Sequence, residues 1–106
     1  MLLHETMTDL GGLEFATFKL KPGVSEDKLI ELSKCVEERF LSQQDELILH
    51  CLVRGKDGVY ADIAMATSQQ KAEEYCQQWL QDATALEYLE LIDHETVDMT
   101  FWSRIN

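Results

Sequence analysis

Proline is nearly missing from this chain, with Pro22 alone, and glycine is confined to Gly11, Gly12, Gly23, Gly55 and Gly58. So few breakers exclude a Pro/Gly-rich linker or a low-complexity tail, and they mark in advance where turns fall. Cations are scarce as well, nine Lys and Arg against twenty Asp and Glu, for a formal net charge of -11 at pH 7. That balance repels phosphate backbones and anionic lipid, and the basic residues are scattered, so neither nucleic acid nor a membrane surface is an expected partner. No apolar run approaches the roughly twenty residues of a membrane helix. The N-terminal residues carry no basic leader, and a soluble cytoplasmic protein is the expectation. The three cysteines, Cys35, Cys51 and Cys76, are odd in number and lack the short paired spacing of zinc or thioredoxin-type sites. They read as reduced thiols serving as small core residues. A glycine-rich phosphate loop and a nucleophile elbow are missing too. No metal is expected, because His50 and Asp62 supply at most two ligands and local spacing fixes no third.

What is present suits one globular domain: 106 residues, 45% hydrophobic and 27% charged. Residues 1–12 read as a loosely held arm ending in Gly11-Gly12, and residues 13–106 as a single domain. A first strand is expected over about 14–20, followed by a turn at Lys21-Pro22-Gly23 and a helix capped by Ser25. Leu29, Leu32, Ser33, Val36 and Phe40 mark the apolar stripe of that helix, with Glu31, Lys34, Glu37 and Glu38 on its wet side. The loop Gly55-Lys56-Asp57-Gly58 joins two strands and suits a type I turn followed by a glycine bulge. Closing it at Gly55 and Val59 pairs Arg54 with Tyr60, Leu52 with Asp62 and His50 with Ala64. Thr67 with Gln70 forms a capping box for a second helix with the stripe Ala72, Tyr75, Cys76, Trp79, Leu80 and Ala83. Thr84 with Glu87 would start a short third one, and His94-Glu95 leads into a last strand. The order β-α-β-β-α-β predicts an α+β, ferredoxin-like domain with a four-stranded antiparallel sheet and helices on one face.

Each strand alternates with period two, which gives it one apolar and one mixed face. Ala16, Phe18 and Leu20 oppose Phe15, Thr17 and Lys19. Leu49, Cys51 and Val53 oppose Ile48, His50, Leu52 and Arg54. Val59, Ala61, Ile63 and Met65 oppose Tyr60, Asp62, Ala64 and Ala66, while Val97, Met99, Phe101 and Ile105 oppose Asp98, Thr100, Trp102 and Arg104. The mixed faces are expected to combine on the side of the sheet that the helices leave open. An open face carrying Phe15, Ile48, Leu52 and Trp102 calls for cover, so a homodimer is expected.

Three runs, 15–25 (FATFKLKPGVS), 58–68 (GVYADIAMATS) and 91–99 (LIDHETVDM) continuing to Phe101 and Trp102, carry a resemblance. Together they look like the antibiotic biosynthesis monooxygenase-like family, over most of the chain beyond Gly12. The resemblance implies a dimeric α/β barrel, in which two ferredoxin-like sheets face each other around a pocket. It also implies a choice among cofactor-free oxygenases, haem-degrading enzymes and members without assigned activity. His4, His50 and His94 all fall outside the expected helices, which disfavours the axial haem ligand of the second group. Where relatives have a Pro-Gly-Phe turn, this chain has Gln43-Gln44-Asp45-Glu46-Leu47.

The candidate catalytic pair is His50 with Asp62. Imidazole ionises near neutrality, and the register makes the carboxylate a diagonal neighbour able to orient it. Tyr60, Trp102, Thr17, Thr100 and Arg104 are the candidate substrate contacts, with Trp102 and Tyr60 as aromatic walls. The bland alternatives are a structural histidine, a packing tryptophan and a Tyr60–Arg54 cation-π pair. By resemblance alone, the reaction would be oxidation of a flat phenol or quinol by dioxygen with no cofactor. The competing expectation is a non-catalytic, small-molecule-binding or stress-related module.

Overall fold

The computed structural model describes residues 1–4 and 9–106. Its elements are β1 (Leu2–Leu3), β2 (Gly12–Leu20), α1 (Glu26–Arg39), β3 (Leu47–Arg54), β4 (Val59–Ala66), α2 (Gln69–Gln78), α3 (Ala83–Leu89) and β5 (Ile92–Ser103). Single 3-10 turns follow α1 and α2, at Leu41–Gln43 and Trp79–Gln81. The strands form one antiparallel sheet in the order β1-β3-β4-β2-β5, with ferredoxin-like topology. The sheet has five strands where four were expected. Leu2 and Leu3, placed by sequence in the loose arm, pair with His50 and Leu49, whereas residues 5–8 of that arm lie outside the described residues.

Local chemistry accounts for the element ends. Ser25 caps α1 by accepting a hydrogen bond from the Lys28 amide, as expected. The cap of α2 is Ser68, one residue after the expected Thr67, and that of α3 is Asp82, two before the expected Thr84. The β3–β4 pairing has the expected register, Arg54 with Tyr60, Leu52 with Asp62 and His50 with Ala64. Its turn differs. Asp57 and Gly58 both have positive φ, 56° and 76°, and the Val59 amide reaches the Lys56 carbonyl at 3.1 Å. These are features of a type I′ turn, whose twist matches the flanking strands. At Gly12, where β2 begins, an added Cβ would sit 2.2 Å from the Gln69 nitrogen, so only glycine lets β2 start beneath the first turn of α2.

The core fills the space between the sheet and the helices. Phe18, Leu29, Val36, Leu41, Leu47 and Tyr88 form one buried cluster, with Trp79 packed edge-on to Phe40. In β2 and β5 the expected core positions, Ala16, Phe18, Val97 and Met99, do lie on the helix side. In β3 and β4 the assignment is reversed. His50, Leu52, Tyr60, Asp62 and Ala64 share the helix side with Glu14 and Phe18, whereas Leu49, Cys51, Val53, Ile63 and Met65 share the uncovered side with Phe15 and Trp102. The reason is physical. The polar side chains of β3 and β4 find partners on the helices and can be buried, while the apolar positions line a face that has no helix on it.

Candidate functional site

The reversal divides the expected site between two faces. His50, Asp62 and Tyr60 lie under the helices, while Thr17, Thr100 and Trp102 lie on the open face. On that open face the Trp102 indole donates to the Thr100 hydroxyl at 2.9 Å, and that hydroxyl donates to the Phe15 carbonyl at 3.3 Å. Arg104 follows the end of β5, with its guanidinium 4.0 Å from Asp9. Tyr60 and Arg54 converge on Glu26, at 3.1 and 2.8 Å, instead of forming a cation-π pair. Tyr60 also stacks on Phe18, with ring centroids 6.1 Å apart.

Under α1 the helix-side residues form a closed polar cluster. His50, 1% exposed, places Nδ1 2.8 Å from Glu37 Oε2 and Nε2 3.0 Å from Asp62 Oδ1. The other Asp62 oxygen accepts from the Tyr88 hydroxyl at 2.8 Å. Burial opposes a charged imidazole here, but hydrogen bonds to Asp62 and Glu37 outweigh it and raise the His50 pKa to about 9. His50 is therefore an imidazolium at neutral pH, donating from both nitrogens. Burial alone would raise the Glu37 carboxyl, yet the hydrogen bond from His50 and then that from the Met1 ammonium, 3.1 Å away, prevail and lower it. Glu37 was expected on the wet side of α1. It follows Ser33 by four residues and so shares the buried stripe, a spacing legible in the sequence.

Beside this cluster, between the sheet and the α2–α3 segment, lies a cavity of about 420 Å3. Its walls are mostly apolar, with Phe18, Trp79, Leu80, Leu89, Val97 and Met99, and the small Ala16 widens it. Four polar side chains reach it: Glu14, Asp62, Cys76 and His94. Burial pushes the Glu14 carboxyl up, against the hydrogen bond it accepts from the Tyr75 hydroxyl. Burial, followed by the Glu14 charge, pushes the Cys76 thiol far above its ordinary value and leaves it protonated and unreactive. Glu14 is not among the site residues expected from the sequence, although period-two alternation puts it on the face of Ala16 and Phe18. His94 reaches the cavity from an irregularity of β5, where the pairing jumps from Thr17–Asp98 to Lys19–Asp93. Among the described residues, no group of three or more His, Cys, Asp or Glu side chains is arranged to hold a metal. No helix of the described residues is long and apolar enough to cross a membrane.

No family model matches the sequence, and neither does any curated protein. Solved structures do match. SnoaB, a cofactor-independent oxygenase from Streptomyces nogalater, superposes with a TM-score of 0.70 at 17% identity, over 93% of this chain and 96% of its own. An antibiotic biosynthesis monooxygenase gives 0.66 at 11% identity, over 90% and 99%. A dimeric ferredoxin-like protein of unknown function from Thermobifida fusca gives 0.66 at 12%, over 98% and 100%. The chain has their fold. This is the ferredoxin-like architecture implied by the three resembling runs, shared end to end at identities that carry architecture and not chemistry.

Proposed function

We propose that the cavity binds a flat, electron-rich phenol or quinol and that the protein oxidises it with dioxygen without a bound cofactor. The observation that carries this reading is Glu14, a carboxyl raised by burial at the wall of a mostly apolar cavity. Such a group is suited to removing a hydroxyl proton, since a base works best when its pKa approaches the working pH. The substrate anion then donates an electron to dioxygen, and the two radicals combine. The cofactor-independent oxygenase among the structures sharing the fold supports the same chemistry. His50 and Asp62 keep a place in this scheme as positioning residues. With both ring nitrogens donating to carboxylates, His50 has no lone pair for a substrate proton, and it holds Asp62 at the cavity wall.

The working unit is proposed to be a homodimer. Phe15, Val53 and Trp102 are 36%, 41% and 56% exposed on the helix-free face, and dimeric ferredoxin-like proteins share the fold. Each protomer would then keep its own cavity, on the side away from the partner.

Oxygen uptake against a panel of quinols and polyphenols, with protein-free autoxidation as the control, tests the proposal. Uptake by the protein that falls at least a hundredfold in Glu14→Gln supports it. A non-catalytic binding module is favoured by one observation, that no buried side-chain polar atom among the described residues lacks a partner. Saturable binding without uptake across the panel would establish that second reading and remove the first.

A further inference from the structure

β5 contains an irregularity that the fold does not require, and a histidine of the cavity wall lies at its edge. Between Lys19–Asp93 and Thr17–Asp98, the single residue Phe18 of β2 stands against residues 94–97 of β5. The extra residues are pinned. The Thr96 hydroxyl donates to the Asp93 carbonyl at 2.6 Å and accepts from the Lys19 amide at 2.8 Å, while the Glu95 amide donates to the Asp93 carboxylate at 3.2 Å. A bulge of this kind changes which residues of a strand share a face on its two sides. On its near side, His94 follows the buried Ile92 by two residues and so keeps to the helix side of the sheet; it is exposed and lines the cavity, and among the described residues its ring makes no hydrogen bond or ion pair. It thus contrasts with His50, whose two nitrogens are both engaged.

We propose that His94 is the second acid–base residue of this site, exchanging protons with the end of a bound hydroxyarene opposite Glu14. The inference rests on the cavity being the site of such a ligand. Glu14 and Phe18, beside the bulge, are four residues apart on β2, so about 13 Å of strand separates the two ends. In the proposed oxidation, Glu14 takes the hydroxyl proton and the substrate anion gives one electron to dioxygen. Radical recombination then forms a carbon–oxygen bond and leaves a peroxide anion. The His94 imidazolium protonates that anion. The neutral imidazole next removes the hydrogen from the same carbon as the O–O bond breaks, which yields a carbonyl and hydroxide. Hydroxide takes the proton held by Glu14 and leaves as water. An aromatic C–H, the phenolic O–H and O2 have become the two carbonyls of a quinone and H2O, and both residues are restored.

The test uses the full chain with isotope-labelled histidine rings and 2-naphthol as the probe. Ring signals are followed by NMR and assigned with His94→Gln. In parallel, oxygen uptake is measured for the wild type and for His94→Gly with and without added imidazole. The expected result is that saturating probe moves the His94 signals and leaves those of His50 in place. Turnover in His94→Gly should fall at least tenfold in kcat with KM within twofold, and imidazole should restore part of it. Absence of binding, saturable binding that leaves His94 unmoved, or turnover unaffected by its removal would overturn the proposal. Movement of His94 on binding in a wild type that consumes no oxygen would support its place at the ligand while overturning the oxygenase reading separately.

Discussion

Two polar regions share the helix side of one sheet and are built in opposite ways. Under α1, Glu37, His50, Asp62 and Tyr88 satisfy one another, with the His50 cation between two carboxylates and the Met1 ammonium 3.1 Å from Glu37. Under α2 and α3, Glu14 and His94 stand at opposite parts of an apolar cavity, and only Glu14 has protein hydrogen-bond partners. The first arrangement stabilises its charges and in doing so uses up their chemistry. The second leaves a carboxyl raised by burial and an unengaged imidazole at the cavity wall, the two groups on which the proposed chemistry rests. Burial by itself therefore does not mark a functional group in this protein. The proposed function rests instead on a perturbed carboxyl and an unengaged imidazole next to a cavity.

The largest effect that could break this contrast comes from removing the cation of the closed cluster. His50→Ala removes the cation between Glu37 and Asp62, leaving Glu37 with the Met1 ammonium and Asp62 with the Tyr88 hydroxyl, and breaking a buried pair in this way costs about 3–5 kcal/mol. Urea unfolding reads it directly. A loss below about 1 kcal/mol would mean that the three groups do not depend on one another, and His50 would return to the list of bases. The same cluster predicts a pH dependence. Because folding raises the His50 pKa from 6.5 to about 9, the folded state holds its proton more tightly than the unfolded chain. The stabilisation is therefore complete below pH 6.5 and is lost as pH rises through about 9. At about 1.4 kcal/mol per unit, on the order of 3 kcal/mol is at stake. The urea midpoint should fall across that window in the wild type and flatten in His50→Gln; parallel profiles for the two proteins would contradict the charged cluster.

Glu14→Gln probes the other region, where the expected stability change is smaller. The amide oxygen can still accept from Tyr75, and the variant no longer buries a charge, so stability should stay within about 1 kcal/mol of wild type. Ligand turnover, by contrast, should drop at least a hundredfold. A variant that unfolds more readily but turns over normally would assign Glu14 to the structural class with His50 and would erase the distinction between the regions.

How much of this was legible in the sequence depends on whether a signal was local. The β3–β4 register followed from a four-residue loop, the Ser25 cap from one hydroxyl, and the α+β order from breaker positions. The faces of β3 and β4 were not legible from alternation alone. Hydrophobicity says that Leu49, Cys51, Val53, Ile63 and Met65 should be inside, and in a lone chain they lie on the uncovered side. His50 and Asp62 are inside because Glu37 and Tyr88, distant in sequence, meet them there. A polar residue's burial depends on partners that a strand's own pattern does not contain. Glu37 and Glu14 were nonetheless readable from helix and strand period, had charge not been taken as a sign of solvent. His94 was not, since the last strand was expected to begin after His94-Glu95, whereas β5 begins at Ile92 and carries His94 on the face of that core residue.

The smallest expected effect on the folded protomer tests whether the two faces are independent. Trp102 is 56% exposed and reaches the same face as Phe15 through the Thr100 hydroxyl. Trp102→Glu should change protomer stability by only about 0.5 kcal/mol, as surface substitutions usually do. In the assembly it places a charge at the centre of an apolar contact, where an unpaired charge is strongly disfavoured. Analytical ultracentrifugation should accordingly show the wild type as a dimer and Trp102→Glu shifted toward monomer. Because the cavity lies on the opposite side of the sheet, affinity for 2-naphthol should stay within about twofold, a change of well under 1 kcal/mol. Binding lost together with the dimer would show that the partner completes the site, and the functional boundary would have to be redrawn across both faces of the sheet.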